Sequence, residues 1–309
     1  MTRWDVSDLP DLTGRTALVT GPTIGGIGFH TALELARRGA RVALAGRNPG
    51  RLVAARDAIR AEVPDAELPT LKVDVSDLSS VRRGAKDAAD LGPIHLLVNN
   101  AGIMAPPLSR TADGVESQMA TNHFGPFLLT GLLLPQLRAA EGARVVTVSS
   151  QMHRIARSAP LDDPRADRGK RYRRWPVYGR TKLANLLFTF ELDRRCRQAG
   201  LVIKALAAHP RMAGTHLAVN GQYGTTSGLR ASILDGAVKA VSQSAAAGAW
   251  PTLMAATADL PGGTYVGPGG PGQMNGPPRV VGTTPLARDV DVQRRLWELS
   301  EEVVGLWWP

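Results

Sequence analysis

Tyr178 and Lys182 stand four residues apart in the string YGRTK, and upstream an apolar run closes in Ser149-Ser150. On a helix that spacing puts both side chains on one face. An unperturbed phenol ionises near pH ~10 and trades protons poorly at neutrality, whereas a neighbouring ammonium stabilises the phenolate. Ser150 would then hydrogen-bond a substrate oxygen while Tyr178 gives up or takes its proton, which is general acid–base work on a carbonyl or an alcohol. A tyrosine and a lysine at this spacing also arise by chance, so the pair takes its meaning from the rest of the chain.

The elements that must position the pair begin near the N-terminus. RTALVT, residues 15–20, is a short apolar run that leads into Gly21-Pro22-Thr23-Ile24-Gly25-Gly26-Ile27-Gly28 and then the helical pattern FHTALELARRG. A buried strand, a glycine-rich turn and a helix N-terminus together present backbone N–H groups to a pyrophosphate. The next strand, ARVALAGRN, ends in Gly46-Arg47 without a carboxylate. A guanidinium there suits a ribose 2′-phosphate, so NADP(H) is expected over NAD(H). TLKVDV carries Asp74 near its end, and IHLLVNNAG ends in Asn99-Asn100-Ala101-Gly102. Strands are expected over 70–75, 143–150 and 201–208, with helices over 51–63, 79–90, 114–137 and 177–198. This alternation predicts an α/β fold, one doubly wound parallel sheet with helices on both faces.

The ordered set TG…GIG, Asp74-Val75, NNAG, Asn122 in TNHFGPF, Ser150 and YGRTK resembles the short-chain dehydrogenase/reductase family across nearly the whole chain. AGIMAPP, LLTGLLLPQL, TKLANLLF and RRLWELSEEVVG are similar to its retinol-dehydrogenase-like and WW-domain-oxidoreductase-like branch. The resemblance implies an NADP(H)-linked oxidoreductase acting on a small carbonyl or alcohol substrate. It assigns Tyr178 as acid/base, Lys182 as the group that lowers the phenol pKa and holds the nicotinamide ribose, Ser150 as the group that polarises the substrate oxygen, and Asn122 as the holder of a relay water. A buried Asn122 bonded to backbone is the blander reading of that position. Cofactor contacts are expected at Gly21, Thr23, Gly26, Ile27, Gly28, Arg47, Asn48, Asp74, Val75, Asn100, Ala101, Gly102, Tyr178, Lys182, Pro210, Met212 and Thr215. Similar relatives pair through the helices carrying Asn122 and Tyr178, which implies a homodimer or homotetramer.

Three positions depart from the family's pattern: the glycine turn is one residue longer, Arg211 stands where a glycine is usual, and Pro126 falls inside a predicted helix, where it would kink or end a turn. The link from Ser150 to Tyr178 is long and rich in Arg and Pro, with Lys170, Arg171, Tyr172, Arg173 and Arg174 in one basic string. A solvated loop near the site mouth is expected over residues 154–175, with His153 lining the pocket. An inactive NADP(H)-binding sensor or scaffold that uses this loop is the alternative of a different class. The complete Asn, Ser, Tyr and Lys set argues against it.

One domain is expected over residues 1–309: a cofactor-binding and catalytic core over 14–210, a helical substrate-covering segment over 211–264, and a tail with a last helix over 265–309. Within the tail, GGTYVG reads as a final strand, residues 267–278 as irregular, and VQRRLWELSEEVVG as the last helix. The formal charge of +10 favours anionic ligands, yet neither zinc spacing nor a recognition-helix signature accompanies it, so no nucleic-acid partner and no metal are expected. A single cysteine, Cys196, excludes an internal disulfide, and no run is long and apolar enough to span a bilayer. A cytoplasmic setting is expected.

Overall fold

The computed structural model describes residues 4–161, 172–210 and 245–308. Arg211, Met212, Thr215, Lys170 and Arg171 lie outside the described residues, as does most of the expected substrate-covering segment.

Eight strands form one sheet in the order β3-β2-β1-β4-β5-β6-β7-β8. They are β1 (Thr16–Thr20), β2 (Arg41–Gly46), β3 (Thr70–Lys72), β4 (Leu96–Asn99), β5 (Ala143–Val148), β6 (Ile203–Ala208), β7 (Tyr265–Pro268) and β8 (Pro278–Val280). All neighbours are parallel except β7 and β8, which run antiparallel. Strands β1 and β4 are buried along their whole length, as parallel strands covered on both faces must be. Strand β1 pairs with both β2 and β4, so the connections reverse direction beside it and open a crevice at the strand ends.

One face carries α1 (Ile27–Arg37), α2 (Pro49–Glu62) and α8 (Ala245–Thr257). Asn48 caps α2 by accepting from the Arg51 N–H, with Pro49 in the first turn, where its missing N–H costs nothing. The other face carries α3 (Leu78–Asp87), the helical run α4 (Ser117–Met119), α5 (Gly125–Leu132) and α6 (Leu134–Ala139), then α7 (Arg174–Gln198), α9 (Pro285–Arg288) and α10 (Val290–Val304).

Several elements differ from expectation for local reasons. Strand β3 ends at Lys72, and the Asp74 carboxylate then accepts from the Ser76 N–H at 2.9 Å in a turn. The helix expected from Gly114 starts at Ser117, because the Glu116 carboxylate caps it through the N–H groups of Gln118 and Met119. Pro126 does not stop this run: it lies in the first turn of α5, which follows directly on a π-helical turn over Ala120–Phe124. Strand β8 begins at Pro278, the last residue of the stretch taken as irregular, and Pro278 sits at the sheet edge, where a missing ladder donor is tolerated. The described part of the expected substrate cover, α8, is a core helix packed under the sheet against α1.

The C-terminal helix lies across α5 and α7. Trp297 and Trp308 interlock there with Phe127 and Phe188, at ring-centroid separations from 4.6 to 6.4 Å. Arg195 stacks on the outer side of Trp297 at 4.5 Å. The C-terminal segment thus covers α5 and α7 around Phe127 and Phe188. Among the described residues no helix is long and apolar enough to cross a membrane.

Candidate active site

The expected catalytic side chains converge at the ends of β4 and β5. Helix α7 starts one turn before Tyr178 and presents Tyr178 and Lys182 on one face, both buried. Ser150 lies close enough to the Tyr178 hydroxyl to favour its phenolate form. Ser150 ends the β5 segment by accepting the Met152 N–H at 3.2 Å, which opens a 3-10 turn over Gln151–Ile155. Its neighbour Ser149 turns the other way and donates to the Lys182 carbonyl at 2.7 Å. Ser150 rather than Ser149 thus faces the phenol, as expected.

Lys182 donates from Nζ to the Val148 carbonyl at 3.0 Å and lies 5.7 Å from the Tyr178 ring centroid. Asn185 donates to the same carbonyl at 3.1 Å. Burial disfavours both charged forms: it pushes the phenol up to about 12, against the Ser150 side chain, and pulls the ammonium down to about 8. In this arrangement burial outweighs the Ser150 contribution, so the phenol sits above its ordinary value. Tyr178 is held here as a protonated donor.

Asn122 sits in the π-helical turn with its side chain fully engaged. Oδ1 accepts from the Ile103 N–H at 2.8 Å, while Nδ2 donates to the Ile103 carbonyl at 2.9 Å and to Thr181 Oγ1 at 3.0 Å. The blander reading of this position holds, since the side chain is a clamp between the segment after β4 and the catalytic helix. Thr181 completes it by donating to the Tyr178 carbonyl at 2.8 Å.

Of the residues expected to meet a cofactor, Gly21, Thr23 and Gly26 lie in the turn between β1 and α1, Ile27 and Gly28 open α1, and Arg47, Asp74 and Asn100 follow the ends of β2, β3 and β4. The extra residue of the glycine turn is absorbed at Gly25, whose φ of +75° is open to glycine without strain. A turn closed by the Gly26 N–H on the Thr23 carbonyl at 2.9 Å then delivers Ile27 as the first residue of α1. Gly26 caps that helix with no side chain, which leaves the first N–H groups to a ligand. A Cβ on Gly28 would stand 2.7 Å from the Gly21 carbonyl oxygen and collide with the Asn100 amide. Asn100 itself ties the turn down, donating from Nδ2 to the carbonyls of Thr20 at 2.7 Å and Gly21 at 3.2 Å. Its side chain is thus structural, while Ala101 and Gly102 continue the wall toward Lys182. Arg47 is exposed just beyond β2 and forms no ion pair among the described residues. Asn48 is used as the cap of α2, Asp74 as the acceptor of its own turn, and Val75 is buried against α5. Pro210 follows β6, and the His209 ring faces its carbonyl at 3.2 Å.

His153 does not line the pocket. It is buried behind Ser150, with Nδ1 on the Ser150 carbonyl at 2.7 Å and its ring edge-on to Tyr265. Sequence reasoning missed Thr20, whose Oγ1 accepts the N–H groups of Asn100 and Ala101, both at 3.0 Å. It also missed the buried network at the start of α7, in which the Tyr172 hydroxyl donates to Glu116 at 2.8 Å and Gln118 donates to that hydroxyl at 2.7 Å. Trp175, one turn before Tyr178, rests edge-on to its ring at 6.2 Å. Helical spacing from Tyr178 was the one signal that marked Trp175. Among the described residues no cluster is suited to a metal ion.

Residues 15–159 match the family described as short chain dehydrogenase. Human retinol dehydrogenase 13 is 36% identical over 96% of this chain and 86% of its own length. Human retinol dehydrogenase 12 is 42% identical over 67% of this chain, a match that spans 64% of that protein. A solved structure from Mycobacterium paratuberculosis is 40% identical and covers all of both chains with a TM-score of 0.81.

Proposed function

This chain belongs to the short-chain dehydrogenase/reductase family, in its retinol-dehydrogenase-like branch, and we propose that it is an NADP(H)-dependent oxidoreductase that reduces the carbonyl group of a small-molecule substrate. The observation that carries this reading is the buried Tyr178 hydroxyl beside Ser150, with Lys182 one turn further along the same helix.

The residues present fit a dinucleotide. The glycine turn and bare N-terminus of α1 suit the pyrophosphate, Arg47 suits a 2′-phosphate, and Lys182 suits a ribose hydroxyl. The bound nicotinamide would supply the hydride to the carbonyl carbon. Ser150 holds the carbonyl oxygen, and Tyr178 gives that oxygen its proton as negative charge develops there. A phenol kept protonated by burial is the form that reduction consumes. Lys182 takes part as a cation beside the phenol, and its pKa of about 8 leaves it mostly charged at pH 7. We place the enzyme in the cytoplasm on the same reading, with Cys196 an inert buried thiol.

Fluorescence titration with NADPH and with NADH tests the cofactor assignment. NADPH is expected to bind at least about tenfold more tightly, with the difference reduced in Arg47→Ala, since a charge-assisted contact to phosphate contributes roughly 1.5–3 kcal/mol. Equal affinity for the two in the unmodified protein would remove Arg47 from the account.

A further inference from the structure

A cavity of about 630 Å³ lies against the segment that follows Ser150. It is lined by Gln151, Arg154, residues 269–273 after β7, and Arg279 of β8. Its polar wall is ordered by a chain of hydrogen bonds whose direction can be derived. A guanidinium has donors only, so Arg154 Nε, 2.8 Å from Gln151 Oε1, sets which end of that amide faces it. The Gln151 amide nitrogen must then donate to Gln273 Oε1 at 2.5 Å, and the same oxygen faces His209 Nε2 at 3.1 Å. Arg154 is held from its other side by the Gly282 carbonyl, 3.1 Å from Nη2. The guanidinium is therefore fixed in place before any ligand arrives.

Its charge is not neutralised locally. Among the described residues neither Arg154 nor Arg279 forms an ion pair, and Arg154 Nη1 is left without a partner. Burial holds His153 and His209 below the ordinary histidine range, and the Arg154 charge adds a smaller push in the same direction at both. The stem of Arg279 runs along Gly269, and the glycines at 269, 270 and 272 put mostly backbone on that wall. Gln151 is bonded to Ser150 in the chain, so the cavity opens one residue from the group that faces Tyr178.

We propose that this cavity is a subsite for a carboxylate carried by the substrate, which makes the substrate class oxo-acids: aldehydes or ketones with a carboxylate remote from the reacting carbon. The inference rests on the carbonyl-reductase reading above. Two guanidinium forks with free donors match the planar, two-oxygen geometry of a carboxylate. The reacting carbonyl then sits at Ser150 and Tyr178 while the acid end points toward β8.

The test compares matched aldehydes in steady-state NADPH oxidation: 4-carboxybenzaldehyde against 4-methylbenzaldehyde, and 4′-formylbiphenyl-4-carboxylate against its methyl ester. Expected is a kcat/KM preference for the acid of about tenfold or more in at least one pair, falling to near one in Arg154→Gln/Arg279→Gln. Because the preference is a ratio within each protein, it does not depend on how much of the variant is folded. No preference in either pair, or a preference that survives the double substitution, overturns the subsite. Should neither aldehyde of a pair turn over, the reductase reading is what fails. Calorimetric titration with biphenyl-4-carboxylate then decides the subsite alone: binding lost in the double variant supports it, and absent or unchanged binding overturns it.

Discussion

Asn122 donates from Nδ2 to the Thr181 hydroxyl at 3.0 Å, and that hydroxyl donates onward to the Tyr178 carbonyl at 2.8 Å. The clamp ties α7 to the segment after β4, with Asn122, Thr181 and Tyr178 all buried. Thr181→Val keeps the shape and removes the hydroxyl, leaving an Asn122 donor unpaired. A loss of about 1–3 kcal/mol in urea unfolding is expected, together with reduced turnover as Tyr178 loses its fixed position. Unchanged stability would show that the clamp contributes nothing.

At the start of α1, Gly28→Ala forces a methyl against the Asn100 amide and the Gly21 carbonyl. Overpacking of this kind costs about 1–3 kcal/mol, and it displaces the turn that presents N–H groups to a pyrophosphate. Calorimetric titration should show weakened NADPH binding, while Gly50→Ala, on the exposed first turn of α2, should leave it unaltered.

Acid sensitivity follows from histidines buried in the neutral form. Burial pulls His123 down to about 3 and His209 to about 4, both from 6.5. Their folded-state values are depressed, so the unfolded chain takes up protons that the folded chain refuses. Stability is therefore complete above pH 6.5 and falls as pH drops toward 4, by up to about 1.4 kcal/mol per pH unit for each histidine. Denaturant unfolding at pH 7.5 and pH 5 should differ by about 2–4 kcal/mol. A midpoint constant over that range would mean that these histidines are not buried neutral.

The C-terminal helix fills the shared face of α5 and α7 with Trp297 and Trp308. Pairing of two chains through Phe127 and Phe188 would require α10 to leave. Light scattering should accordingly give the monomer mass of 32.8 kDa, and Trp308→Ala should cost about 3–5 kcal/mol through the cavity it opens. A dimer with cross-links between two copies of α5 would contradict this.

Much of the fold was legible because its strands are short apolar runs between glycine-rich turns, and a fully covered parallel sheet needs such runs. Tyr178, Lys182 and Ser150 were legible for a related reason, since helical spacing and a strand end state where they point. What stayed hidden depended on partners distant in the chain. The role of Asn122 turns on Ile103 and Thr181, and the protonated phenol on burial that no four-residue spacing reveals. Strand β8 was masked by glycine and proline, whose turn signal outweighs a three-residue edge pairing. Pro126 misled because the rule against helix-interior proline takes no account of a π turn placed just before it.

Tyr178 as the proton donor in an NADPH-driven carbonyl reduction is the central claim, and Tyr178→Phe removes the donor while keeping the ring. Single-turnover NADPH oxidation on mixing with an aldehyde should be slowed by about 10²–10⁴-fold in the variant, with NADPH affinity measured by titration on the same sample nearly unchanged. Oxidation at an undiminished rate in Tyr178→Phe would contradict the account.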